Sequence, residues 1–140
     1  MLSATFSALA ILAAETADDS AYAALASSYI RAFGSCEKDA LDGLLAEDHK
    51  NFVIASDGRM ARTALVLERQ CTPGYKISVT DSETISLDGT GDFGSALLSL
   101  KADLRAPGEP LQTVALRVSL IMEDRGNGPR IVRSHIAAAP

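Results

Sequence analysis

Basic residues are scarce in this 140-residue chain, where 13 Lys and Arg face 18 Asp and Glu for a net charge of −5 and a pI near 4.9. Binding to a phosphate backbone needs a clustered basic face, and the sequence has no such cluster, so nucleic acid is excluded as a partner. Ten Gly and five Pro are too few for a collagen-like or low-complexity chain. No apolar run reaches the roughly 18 residues of a membrane-spanning helix. Only two Cys and two His are present, and neither His stands at ligand spacing, so no metal site and no cofactor is expected. A G-x-S-x-G nucleophile elbow is also absent, and the neighbours Ser134 and His135 point to opposite faces of any strand that holds them.

What is present is ordinary globular material, 47% apolar and 22% charged, enough for one domain with a sizeable core. Residues 2–14 (LSATFSALAILAA) are uncharged and apolar, the length of a signal-peptide core. Residues 1–17 therefore read as a signal peptide or a disordered extension, and 18–140 as the single domain. Export predicts a secreted or periplasmic protein, the alternative being a cytoplasmic one. In the exported form a Cys36–Cys71 disulfide would stabilise the fold by about 4 kcal/mol. The other reading of the two cysteines is a pair of small buried apolar side chains.

Helical periodicity starts at the capping residues Asp18, Asp19 and Ser20 and places Tyr22, Leu25, Ala26, Tyr29 and Phe33 on one face. Gly34 ends that helix. Ser35 caps a second, with Leu41, Leu44 and Leu45 as its apolar stripe. Asn51 to Ala55 reads as a short strand, and a third helix carries Met60, Ala64, Leu67 and Cys71 up to the stop at Thr72-Pro73-Gly74. Beyond Gly74 the period becomes two. Tyr75, Ile77, Val79, Ile85 and Leu87 share one face; Ala96 to Leu104 and Val114 to Met122 carry apolar even-numbered positions; a last strand runs from Arg130 to about Ala137. Pairing Arg105 with Leu111 makes the two even-numbered apolar faces coincide. The order predicts an α+β fold, with three N-terminal helices on one side of a curved antiparallel sheet.

The helix AYAALASSYIRAF, the segment ALDGLLAED leading into NFVIA, the turn SDGRM and the ending GPRIVRSHIA, in that order over residues 18–140, resemble the nuclear-transport-factor-two-like superfamily, in its SnoaL-like and ketosteroid-isomerase-like branches. The resemblance implies a cone-shaped fold, in which the curved antiparallel sheet wraps around the three N-terminal helices and an apolar pocket, and a homodimer formed through the sheet. It also implies that Tyr29 corresponds to the tyrosine that donates a hydrogen bond to the enolate oxygen in ketosteroid isomerases. The remaining machinery is not matched. The position of the general-base aspartate falls on Val53, and Leu111 to Met122 contains no acid for a second donor. An aromatic that often precedes the closing strand is replaced by Pro129.

These residues point first to a non-catalytic domain binding a small, largely apolar ligand, with Tyr29, Phe33, Phe52, Leu98 and Val118 as candidate lining. The alternative is an isomerase, cyclase or hydratase. Asp81 and Glu83 share the phase of Val79 and Ile85, so an unbroken strand would aim one of them inward as a base beside Tyr29. A bulge there would swing both outward. Arg133 with His135, and Arg117 with Lys101, form a basic outer surface suited to a carboxylate or, more simply, to solvent or a dimer partner. His49 reads as a surface histidine near a helix end. Gly89 to Gly94 matches G-x-G-x-x-G, but alternation on both sides makes it a hairpin turn rather than a nucleotide cradle.

Overall fold

The structure, a computed structural model, describes residues 20–33, 38–54, 76–105 and 107–138, with the backbone alone for residues 38, 52–54 and 138. The expected leader, the third helix and both cysteines lie outside the described residues.

Helix α1 covers residues 20–32, and the apolar face expected from its periodicity is the one it buries: Tyr22, Leu25, Ala26, Tyr29 and Phe33 all join the core. Tyr29 and Phe33 sit one turn apart with ring centroids 5.5 Å from each other. Helix α2 is only Lys38–Asp42. The expected helical stripe through Leu44 and Leu45 is therefore corrected, because Gly43 closes the last turn onto Asp39 and Leu45 already begins β1, Leu45–Ile54. That strand starts six residues before the expected Asn51. Its partner is distant in sequence: the Ile131 N–H donates to the Leu44 carbonyl at 2.9 Å, and β1 then runs parallel to β5, Pro129–Ala138.

The remaining strands are β2 (Lys76–Thr90), β3 (Phe93–Arg105) and β4 (Gln112–Asp124), giving a curved, unclosed five-stranded sheet of order β1-β5-β4-β3-β2. Leu104 pairs with Gln112, the register that the coincident apolar faces require. Leu98, Leu100, Leu116, Val118, Leu120 and Met122 consequently have no exposed surface on the inner, helix-covered face. Opposite residues share a face, so each cross-strand pair here adds apolar contact to the same core.

Strand β2 departs from simple alternation twice. Its register with β3 slips between Val79 and Asp81 and again between Thr84 and Ser86. Each one-residue slip exchanges inside for outside. After the first, Ser82 and Thr84 oppose the buried Leu100 and Leu98; after the second, Leu87 returns to the phase of Ala96. Ile85, the extra residue of the second bulge, is 42% exposed and not part of a continuous apolar face.

Gly89 and Gly94 face each other across the β2–β3 hairpin, and a Cβ on either would lie 2.4 or 2.5 Å from the ring of Tyr22. The ring lies on this bare stretch of backbone, and its hydroxyl donates to the Gly91 carbonyl at 2.8 Å. Gly91 itself takes φ +60° in the turn. The glycine motif is thus a seat for a helix tyrosine and a turn.

Candidate functional site

Among the described residues, polar side chains are nearly absent from the inner face of β3, β4 and β5. From Gly94 to Leu104 on β3, Val114 to Met122 on β4 and Ile131 to Ile136 on β5 it carries no charge, and the one buried polar residue is Ser134. Ser134 opposes Leu120 on one side and Asn51 on the other, which puts Asn51 on the inner face too. His49, two residues earlier on β1, reaches the same hydroxyl. Its Nε2 lies 2.8 Å from Ser134 Oγ, and Ser134 Oγ donates to Asn51 Oδ1 at 3.3 Å. The direction of the His49–Ser134 bond is set by the imidazole tautomer. The Asn51 amide nitrogen is enclosed and has no hydrogen-bond partner. His49 and Asn51 keep partial solvent exposure while Ser134 has none, so the cluster runs inward from the β1 edge of the sheet.

The residues expected from the sequence are distributed differently. Tyr29, Phe33, Leu98 and Val118 lie together in the core, each with no exposed surface. Phe52 pairs with His135, and its side chain is outside those described. Asp81 and Glu83 are both solvent-exposed and oppose Lys101 and Ser99 on the outer side of β3. Of the two arrangements the sequence leaves open, the bulge is the one found: the first β2 slip turns both away from the core, so neither stands inward as a base beside Tyr29. Asp81 instead borders an open recess of about 490 Å³ between the end of α1 and β2, together with Ile30, Arg31, Phe33, Val79 and Ser82. Arg31 and Asp81 at its rim are exposed, where charge recognition is screened by water and salt.

No family model and no curated protein matches the chain. Solved structures do. A ketosteroid isomerase-like protein from Erwinia carotovora atroseptica superposes with a TM-score of 0.66 at 11% identity, over 86% of this chain and 96% of that one. An NTF2-like protein of unknown function in nutrient uptake from Rhodospirillum rubrum gives 0.63 at 21% identity, over 84% and 98%. A candidate dehydratase of the same fold family from Streptomyces avermitilis gives 0.61 at 13% identity, over 89% and 98%. The chain has the nuclear-transport-factor-two-like fold.

Within the nuclear-transport-factor-two-like frame, the edge pairing of β1 with β5 is what assembles the polar cluster, and sequence reading missed it. His49 is corrected from a helix-end surface residue to a strand residue bonded to Ser134. The available signal was Ser134 itself, the small polar residue between Val132 and Ile136 on the buried phase of the closing strand. Among the described residues no group of three or more His, Cys, Asp or Glu could hold a metal, and no helix is long and apolar enough to cross a membrane.

Next to the cluster, Arg125 of the β4–β5 turn grips Asp48 with both guanidinium nitrogens, at 2.9 and 3.2 Å, and touches Glu123 at 3.4 Å. The hydrogen bonds that Arg125 donates hold the Asp48 carboxyl below its ordinary value of 3.8, and having Asp48 and Glu123 as acceptors pushes the guanidinium up. A depressed carboxyl stabilises the folded state above its unfolded pKa, and the effect is lost as pH falls through the folded value. Arg125→Ala is expected to lower the thermal midpoint slightly at neutral pH. The difference from wild type should vanish in acid below the Asp48 titration and shrink in about 1 M salt. A deficit independent of both pH and salt would assign Arg125 a packing role instead.

Proposed function

We propose that this domain binds a small, largely apolar molecule on the inner face at the β1–β5 edge, engaging its polar end through His49, Ser134 and Asn51, without chemical conversion. The observation that carries this reading is the enclosed Asn51 amide nitrogen with no hydrogen-bond partner. A buried donor left unbonded costs about 1–3 kcal/mol, and such groups persist where they serve a ligand or a reaction. Its setting also supports the reading, because an apolar wall with a few convergent polar groups is the usual make-up of a small-molecule site. Two copies would pair through the outer face, where Ile121 is 45% exposed.

A thermal-shift screen against small aromatic and alicyclic compounds tests the binding. A ligand at about 100 times its Kd adds roughly 2.7 kcal/mol, which is a rise of about 5–10 °C for a domain of this size. Ser134→Val should remove the shift. A screen with no responding compound would overturn the reading.

One observation favours a catalytic variant of the same site. The 2.8 Å contact between His49 and Ser134 holds an imidazole in fixed orientation on the inner face, the arrangement of a positioned general acid or base. The Streptomyces avermitilis candidate dehydratase shares the fold. Loss of water from a β-hydroxy ketone, followed by absorbance of the conjugated product and abolished by His49→Gln, would establish that variant.

A further inference from the structure

A small recess opens between the start of β1 and the β4–β5 turn, and we propose that it binds a free aliphatic α-amino acid as a zwitterion. The recess holds about 280 Å³, just below the roughly 300–1,000 Å³ usual for drug-sized ligands, so its occupant is small. Leu45, Ala46 and Val132 give it an apolar wall for a short aliphatic side chain. Glu47 and Arg130 border it with opposite charges and form no ion pair with each other or with any other described residue. The guanidinium of Arg130 gives one hydrogen bond, from Nη1 to the neighbouring Pro129 carbonyl at 2.9 Å. None of His49, Asn51 and Ser134 borders this recess, so the proposal does not rest on the ligand site described above.

The turn that forms one wall is braced before any ligand arrives. Asp124 Oδ1 accepts from the Gly126 and Gly128 N–H groups at 2.9 and 3.2 Å, and Arg125 grips Asp48 and Glu123. Of the four charged residues lining the recess, Arg125 and Glu123 are thereby spent on ion pairs, which leaves Glu47 and Arg130 for a guest. A lone anion would gain Arg130 and meet Glu47; a lone cation would gain Glu47 and meet Arg130. A zwitterion satisfies both, its carboxylate on the guanidinium and its ammonium on the Glu47 carboxylate. The Asn127 side chain at the same rim makes no hydrogen bond of its own and adds a donor and an acceptor. Glu47 and Arg130 are both exposed, so each contact alone is weak. Selectivity comes from requiring the two together on a wall that need not reorganise.

Three probes of one carbon skeleton test this: L-leucine, isocaproate, which lacks the ammonium, and isoamylamine, which lacks the carboxylate. Each is titrated into the full chain and followed by backbone amide proton–nitrogen NMR. Leucine is expected to bind about threefold to fivefold more tightly than either relative, the scale of one exposed ion pair, with shifts centred on Glu47, Asn127, Gly128 and Arg130. Glu47→Gln should erase the advantage over isocaproate and keep that over isoamylamine, and Arg130→Gln should do the reverse. Both positions are exposed, so neither change threatens the fold, and the wild-type ranking and shift map decide the matter without them. Leucine binding no more tightly than either relative, a ranking unchanged in both variants, or shifts centred on Asn51 and Ser134 would overturn the proposal. No response to leucine would overturn it as well, and would leave the apolar-ligand reading of the β1–β5 edge to its own screen.

Discussion

Replacing Gly94 by valine is expected to cost about 3 kcal/mol, a fall of roughly 10 °C in thermal midpoint. The first carbon of the new side chain would stand 2.5 Å from Cδ1 of Tyr22, well inside contact distance. The ring has little room to retreat, because α1 fixes its backbone and its hydroxyl is bonded to the Gly91 carbonyl. The clash is therefore a property of two residues and should behave as one. In a Tyr22→Ala background, Gly94→Val should lose most of its effect, a coupling of the kind seen between residues in direct contact. Gly91→Ala provides the contrast. Nothing lies within 4 Å of a Cβ there, and only φ +60° opposes it, so about 1 kcal/mol is expected. Chemical denaturation of the four variants measures all of this. A Gly94→Val penalty undiminished by Tyr22→Ala would mean that the ring does not occupy that seat.

The second large effect concerns the phase of the sheet. Leu98→Ala and Leu116→Ala remove fully buried side chains that sit on the shared inner face, and each should cost about 2–5 kcal/mol. Ile121, just as apolar and on the same strand as Leu116, is 45% exposed. Ile121→Ala should stay within about 0.5 kcal/mol in a monomeric state. Equal penalties at positions 116 and 121 would contradict the face assignment, because a strand cannot bury both phases against one helix layer.

Long strands with strict alternation announced themselves in the sequence. The pairing of β3 with β4 follows from one turn and one parity, since shifting either strand by a residue would put Lys101 or Arg117 against the helix. The buried face of α1 follows from spacing in the same way. Strand β1 was legible only in part, because residues 45–50 (LAEDHK) show no alternation and are held extended by β5, some 80 residues away. Local pattern carries no record of a partner that distant. The same distance hid the site. His49 and Ser134 are separated by 85 residues and meet only because β1 and β5 run parallel at the sheet edge. One bulge near Asp81 to Glu83 was legible as the alternative to inward-pointing carboxylates, but the second slip, between Thr84 and Ser86, was not, because a polar run such as Thr80 to Thr84 does not state where an extra residue falls. Gly89 and Gly94 read as turn residues; their second task, leaving room for Tyr22, depends on a helix more than 60 residues earlier.

Ligand binding at the β1–β5 edge, as proposed, rests on an Asn51 amide nitrogen that is enclosed and has no hydrogen-bond partner. The most direct measurement is the side-chain amide proton–nitrogen NMR signal of Asn51, identified by its loss in Asn51→Leu, during titration with acetophenone. The expected result is a signal at the shift of an unbonded amide in the free protein that moves downfield in proton as the ligand binds. A signal already at a hydrogen-bonded position, or one that stays still while the ligand saturates the protein, would contradict it.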